Sequence, residues 1–161
     1  MKMNRRSISA LSLSAVALVG LVMSEGYSDK AIIPIPGDVP TIGFGSTQGV
    51  KMGDTTTPTK ALGRALQDVQ KFEGAVRQCV TVPLHQYEYD AYIRLSYNIG
   101  GKAFCDSTLV RKLNDEDYSG ACLEILRWDR SGGKKIAGLT KRRQAEYQQC
   151  MGGITDATMG R

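Results

Sequence analysis

The most informative stretch of this 161-residue sequence is Gly37-Asp-Val-Pro-Thr-Ile-Gly-Phe-Gly-Ser-Thr47. Successive side chains of a β-strand point to opposite faces, so Ile42 and Phe44 would share one face and Thr41 would share the other with two glycines. The first face can pack against a core. The second is nearly bare backbone, which allows a bulky ligand to approach closely. We therefore predict a strand of a small sheet here, with an exposed backbone surface.

The flanking sequence indicates an α+β protein. Three prolines within residues 34–40 exclude a helix before the strand. Ile32-Ile33 can form a second short strand across a turn at Gly37-Asp38. Thr57-Pro58 is typical of a helix start, with the threonine as N-cap and the proline at the first helical position. Apolar residues then recur at helical spacing as far as Cys79, which predicts a helix of about 20 residues.

Further helices are predicted after residue 80 from the same periodicity and from their end signals. They cover residues 83–97, 107–113, 118–128 and 139–150, with a loop at residues 131–133 and a frayed tail from residue 151. The predicted fold is therefore α+β, with a long helix joining a small sheet lobe to a helical lobe.

The N-terminus carries the pattern of an export signal. Lys2, Arg5 and Arg6 precede an uncharged, largely apolar run over residues 7–24. The basic flank would stay cytoplasmic and direct the rest of the chain outward. As an apolar helix ahead of the domain, eighteen residues would span roughly 27 Å, which is marginal for a bilayer core of about 30 Å. A signal peptide cleaved near Ala15-Val16-Ala17, a permanent anchor and a marginal anchor that leaves the membrane all remain open.

Cysteine usage agrees with export. Cys79, Cys105, Cys122 and Cys150 all follow the apolar run, and their long spacing without a Cys-x-x-Cys disfavours a zinc site. Two disulfides in an oxidising compartment such as the periplasm fit better. Four cysteines allow three pairings, of which we favour Cys79–Cys105 with Cys122–Cys150.

Composition limits the possible partners. Apolar residues make up 42% and charged residues 23%, as in a globular chain, and one histidine excludes a site built on several. The net charge of +5 favours anionic partners. Nucleic acid is disfavoured, because the basic residues do not interleave with aromatic ones and the chain is predicted to be exported.

Glu25-Gly26 follows the apolar run and stands sixteen residues before Thr41. Glycoside hydrolysis needs a carboxylic acid to protonate the leaving oxygen and a second group to direct water. Glu25, next to apolar surface, can supply the acid. Asp38, in the turn before the strand, can supply the second carboxylate, and the Thr41 hydroxyl can hold the water.

Over about residues 24–150 the sequence resembles phage endolysins of the T4-type lysozyme family, glycoside hydrolase family 24. The resemblance lies in Glu25-Gly26, the stretch from Gly37 to Thr47, Gln86-Tyr-Glu-Tyr-Asp-Ala91, Tyr97-Asn-Ile-Gly100, Phe104-Cys-Asp-Ser-Thr-Leu109, Arg127-Trp128 and Gly138-Leu-Thr-Lys-Arg-Arg143. It implies Glu25 as general acid and Thr41 as the residue that positions water. Gly43 and Gly45 would offer backbone to the substrate, and Asn98 would either contact substrate or cap a helix.

One departure concerns the second carboxylate, which the family commonly places nine residues after the glutamate and six before the threonine. Position 34 is proline here, and the interval from glutamate to threonine is one residue longer. The acids available are Asp29 and Asp38. We favour Asp38 because it lies in the glycine-containing turn, although an ideal strand would put it on the face opposite Thr41, so Pro40 or the turn would have to break the alternation.

The resemblance implies a muramidase that cleaves peptidoglycan glycan strands between N-acetylmuramic acid and N-acetylglucosamine, as a monomer with no cofactor and no metal. Residues 1–24 would be a signal-anchor-release segment in the host inner membrane, and residues 25–161 the enzyme, first on the periplasmic side of that membrane and then free in the periplasm. The alternatives are a lytic transglycosylase and a non-enzymatic, membrane-active lytic protein.

Overall fold

A computed structural model describes residues 4–152 of the protein, so Lys2 and most of the predicted tail lie outside the described residues. The chain divides into two compact units. The helical unit comprises the described residues up to Ala17 and from Phe72 onward, and the sheet unit comprises Leu18–Lys71.

The sheet unit contains the predicted two-stranded sheet. Strands β1 (Ser28–Ile32) and β2 (Thr41–Gly43) are antiparallel, with Ser28 opposite Gly43 and an irregular register along β1. Strand β1 begins earlier than expected. It ends two residues before Pro34, which has no amide proton to donate to a neighbouring strand. Ala31, Ile42 and Val50 form one buried apolar cluster of this unit.

The long helix begins where the sequence predicts. Helix α2 (Pro58–Cys79) starts directly after Thr57, whose carbonyl accepts the Ala61 amide at 2.8 Å. The helix starts in the sheet unit and ends in the helical unit.

The described part of the helical unit contains five further α-helices and a 3-10 helix at Ile125–Arg127. Helix α3 packs against α4 and α7, and α5 packs against α6. Their bounds are α3 Gln86–Ile99, α4 Gly101–Cys105, α5 Thr108–Asn114, α6 Tyr118–Glu124 and α7 Ala137–Cys150. Helix α4 was not predicted. The loop expected at residues 131–133 is the turn of a hairpin between β3 (Arg130–Ser131) and β4 (Lys134–Lys135).

Both favoured disulfides are confirmed. Cys79–Cys105 joins the end of α2 to α4, and Cys122–Cys150 joins α6 to the end of α7. The large side chains that are fully buried in this unit include Tyr89, Tyr92 and Phe104.

The N-terminal run differs from the prediction of one apolar helix ahead of the domain. Ile8–Ala10 form a 3-10 turn, and helix α1 (Ala15–Glu25) begins only after Ser14, whose hydroxyl caps it by accepting the Ala17 amide at 3.1 Å. Within residues 4–152, no helix is both long enough and apolar enough to cross a membrane. The prediction failed because serines within the apolar run form hydrogen bonds. The Ser14 hydroxyl both caps α1 and donates to Asp90, so the run is divided into shorter pieces.

Candidate active site

An open pocket of about 350 Å³ lies within the sheet unit, and several predicted site residues line it. Its wall includes Glu25 from the end of α1, Thr41 and Gly43 from β2, and Gly45 from the turn after β2. These residues come from separate stretches of the chain, so the fold of this unit brings them to one place.

The Glu25 carboxylate lies on the side of Gly45 where a side chain would stand. A Cβ atom added to Gly45 would lie 3.3 Å from Glu25 Oε2, which is tighter than ordinary van der Waals contact. Gly45 also has φ +87°, a conformation that residues with a side chain rarely adopt. Both observations explain glycine at this position: it keeps the backbone against the acid and leaves the half-buried Glu25 open to the pocket.

Thr41 presents an oxygen atom at the start of β2. Its hydroxyl donates to the Val39 carbonyl at 3.2 Å. Because the hydroxyl proton is used in this way, the Thr41 oxygen can serve as an acceptor for a water or a sugar hydroxyl.

Gly43 has a packing role that the sequence analysis did not predict. It is buried at φ +64°, and an added Cβ would lie 2.8 Å from the Cβ of Ala61 in the first turn of α2. This close contact between strand and helix leaves no room for a side chain, so the glycine is required for packing as well as for access to the pocket.

Neither candidate for the second carboxylate is among the residues that line this pocket. Asp38 is exposed in the turn between the strands, where its carboxylate accepts the Val39 amide at 2.8 Å and its own amide donates to the Ile35 carbonyl. Asp29 is exposed within β1, and its carbonyl accepts the Thr56 amide at 2.9 Å.

Asn98 belongs to the helical unit, whereas the other five predicted site residues belong to the sheet unit. It is exposed in the last turn of α3. The helix ends at Gly100, whose amide donates to the Ser96 carbonyl at 2.8 Å. Asn98 is therefore not the C-terminal cap residue.

Tyr27 is a pocket residue that the sequence analysis missed. Its ring contacts Phe44 with 5.2 Å between ring centroids and a tilt of 47°, and 43% of the residue is exposed. An exposed aromatic face beside a carboxylic acid can carry the apolar face of a sugar ring. The sequence feature that could have identified Tyr27 is its position two residues after Glu25.

The α+β architecture and this pocket define a lysozyme-like protein. The endolysin of Escherichia coli O157:H7 phage FAHEc1 has a similar solved structure, with a TM-score of 0.78, 33% sequence identity and coverage of 90% of this chain and 96% of that one.

Sequence comparison defines the family. The phage lysozyme family matches residues 22–146. A SAR-endolysin of Pseudomonas phage phiKMV is 38% identical over 141 residues, covering 85% of this chain and 87% of the relative. An endolysin of Acyrthosiphon pisum secondary endosymbiont phage 1 is 41% identical over 110 residues, covering 66% and 75%. The chain belongs to the phage lysozyme family and is a lysozyme-type enzyme.

Proposed function

We propose that this protein is an endolysin that hydrolyses the β-1,4 bond between N-acetylmuramic acid and N-acetylglucosamine in bacterial peptidoglycan. Membership of the phage lysozyme family supports peptidoglycan lysis. The observation that carries the choice of acid is the position of the Glu25 carboxylate beside Gly45 in a pocket that Thr41 also lines.

In the proposed reaction, Glu25 donates its proton to the glycosidic oxygen as the bond from that oxygen to the anomeric carbon breaks. A water held by the Thr41 oxygen adds its hydroxide to the anomeric carbon, and Asp38 accepts the remaining proton. The backbone of Gly43 and Gly45 would lie along the sugar chain, and Asn98 would bind it as well. We propose that the enzyme acts as a monomer.

The acid role is tested with Glu25→Gln, which keeps the size of the side chain and removes its transferable proton. We expect loss of activity on purified peptidoglycan by at least about a thousandfold, with an unchanged melting temperature. Undiminished lysis of whole cells by Glu25→Gln would favour a membrane-active lytic protein instead.

The reaction type is tested by mass spectrometry of the products. Hydrolysis leaves a reducing end, whereas a lytic transglycosylase leaves an anhydro product. The water-holding role of Thr41 predicts reducing ends in the wild-type digest. Anhydro sugars there would exclude hydrolysis while leaving Glu25 as the acid.

The second carboxylate is tested by a matched pair of substitutions. Asp38→Asn is expected to lower activity at least about a hundredfold, and Asp29→Asn to have little effect. The opposite result would assign the role to Asp29.

We propose further that residues 1–24 are a signal-anchor-release segment that first holds the enzyme, residues 25–161, at the periplasmic face of the host inner membrane. The basic flank, the weakly apolar run and the likeness to a SAR-endolysin support this. The described conformation would then belong to the released chain. Collapse of the membrane potential should move the protein from the membrane pellet to the soluble fraction, and retention in the pellet after an uncoupler would contradict the proposal.

A further inference from the structure

Part of the pocket in the sheet unit is apolar and open to solvent. Tyr27, Ile32 and Pro34 line the pocket, and all three are exposed; we call them the apolar lining. Among the described residues that line the pocket, Glu25 is the one with a charged side chain. Binding pockets use apolar side chains for contact area and a few polar groups for orientation. The apolar lining therefore indicates a substrate that presents apolar groups close to the acid.

The register of the sheet places Ile32 beside Thr41. The two residues are paired across β1 and β2. Residues directly opposite each other in an antiparallel pair extend their side chains from the same face, with Cβ atoms about 4.5–5.5 Å apart. The preceding residue, Ala31, is buried on the other face, whereas Ile32 is 46% exposed. The Ile32 side chain therefore lies next to the residue proposed to hold the water.

Tyr27 has a supported position in the same pocket. Its ring contacts the Phe44 ring, as described above, and the next residue, Ser28, is paired with Gly43 across the two strands. A ring that is held before the substrate arrives loses little conformational freedom on binding. Tyr27 can contact the flat C–H face of a sugar ring, which leaves Ile32 and Pro34 for groups that branch from that ring.

The two sugars of peptidoglycan differ in the branches that they offer. Both carry an acetamido methyl group. N-acetylmuramic acid also carries an ether-linked lactyl group, where N-acetylglucosamine has a free hydroxyl. Isoleucine and proline side chains cannot form a hydrogen bond with that hydroxyl, so covering it would cost free energy. The apolar lining therefore suits the sugar whose ring oxygen is substituted by the alkyl branch.

We propose that Ile32, together with Tyr27 and Pro34, determines specificity for N-acetylmuramic acid by packing against its lactyl group. The proposal rests on the proposed hydrolysis of peptidoglycan and identifies the group of the substrate that this pocket selects. Ile32 takes part in no bond that forms or breaks, so its contact is equally strong in the bound substrate and in the transition state. Such uniform binding lowers KM and leaves kcat unchanged.

The adjacent Ile33 provides a matched control. The two isoleucines are 46% and 47% exposed, but Ile33 is not among the described residues that line the pocket. We expect Ile32→Ser to raise KM for soluble, uncross-linked peptidoglycan strands about tenfold, with kcat within about twofold of the wild type. Ile33→Ser should change neither constant by more than about twofold, and both variants should melt within about 2 °C of the wild type.

A conservative variant separates contact from structure. Ile32→Leu keeps the apolar volume, so its KM should stay within about threefold of the wild-type value. Equal effects of Ile32→Ser and Ile33→Ser on KM would overturn the proposal. A loss confined to kcat in Ile32→Ser would overturn it as well, because it would place Ile32 in the chemical step.

Two competitive inhibitors separate the lactyl group from the acetamido group. Muramyl dipeptide carries both groups, with the lactyl carboxyl amide-bonded as in the polymer, whereas N-acetylglucosamine carries only the acetamido group. The wild type should bind muramyl dipeptide at least about tenfold more tightly, and Ile32→Ser should reduce this preference to about twofold or less. Absence of a preference in the wild type would overturn the assignment to the lactyl group. A preference that persists in Ile32→Ser would overturn the role of Ile32.

The same measurements distinguish this specificity from the proposed function. A wild-type enzyme that releases no reducing ends from peptidoglycan would refute the proposed hydrolysis, and the specificity with it. A wild-type enzyme that hydrolyses peptidoglycan, with KM unchanged in Ile32→Ser, would refute the specificity alone.

Discussion

The sheet unit and the helical unit bury different kinds of residue. The sheet unit buries aliphatic side chains such as Ala31, Ile42 and Val50, and its pocket is lined in part by glycine backbone. The helical unit buries aromatic rings such as Tyr92 and Phe104 and contains both disulfides. Close backbone approach therefore shapes the site, while large side chains and covalent links stabilise the other unit. Substitutions can separate these two contributions.

The largest effect is expected from the disulfides. Cys79–Cys105 and Cys122–Cys150 close loops with sequence separations of 26 and 28, for which loop entropy predicts about 3.5 kcal/mol each. We expect replacement of either pair by serine to lower the melting temperature by about 10 °C. Peptidoglycan lysis well below the transition should persist, because the pocket is in the sheet unit. Loss of lysis by a variant that is still folded would show that activity also depends on the disulfides of the helical unit.

The next effect is on activity. In Gly45→Ala the new Cβ would displace the Glu25 carboxylate, so we expect activity to fall about a hundredfold, equivalent to about 2.7 kcal/mol in the barrier. Gly49→Ala is the control, since Gly49 also has a positive φ, +70°, but nothing lies within 4 Å of the added Cβ. Similar activity losses in both variants would assign the effect to backbone strain instead.

A moderate effect is expected from a polar contact within the sheet unit. Ser46 is 2% exposed, and its hydroxyl donates to the Asp68 carboxylate at 2.6 Å. Ser46→Ala should lower the free energy of unfolding by about 1.5–3 kcal/mol, as measured by urea unfolding. The adjacent, exposed Thr47 supplies the control, because Thr47→Ala should change it by less than about 0.5 kcal/mol.

The smallest effect is expected at the β3–β4 hairpin. The hydrogen bond from Lys135 holds the pKa of Asp129 below its ordinary value of 3.8, and the two side chains are 3.1 Å apart. A depressed folded-state pKa contributes stability above the unfolded-state pKa, and this contribution is lost as the pH falls through the folded-state value. The free energy of unfolding of Asp129→Asn should therefore fall slightly less than that of the wild type as the pH drops below about 4. Lys135→Gln should reproduce this smaller fall in acid unfolding curves, and an unchanged curve in both variants would count against the pair.

Local signals predicted much of the fold because they act over a few residues. Thr57-Pro58 located the start of α2, and alternation along residues 41–44 located β2. The N-terminal run was misjudged for the opposite reason. Its serines read as diluents of an apolar helix, yet Ser14 bonds Asp90, which is 76 residues away in sequence.

The candidate site was predictable by residue type more than by arrangement. The motifs named Glu25 and Thr41, and both line the pocket. The sequence did not show that Gly43 is required for packing, because its neighbour Ala61 belongs to helix α2 and not to the strand. The choice of Asp38 over Asp29 stays a prediction, since neither residue lines the pocket.

The sequence by itself determined the start of α2, the small sheet, the basic and apolar pattern of the N-terminus and the residue types of the site, because caps, periodicity and charge runs depend on neighbours along the chain. The tertiary structure alone decided that Gly45 lies against Glu25, that Gly43 lies against Ala61 and that Arg5 binds Glu88 and Tyr118. These contacts join residues 18 to 113 positions apart. Their formation depends on packing of whole elements, which no local pattern specifies.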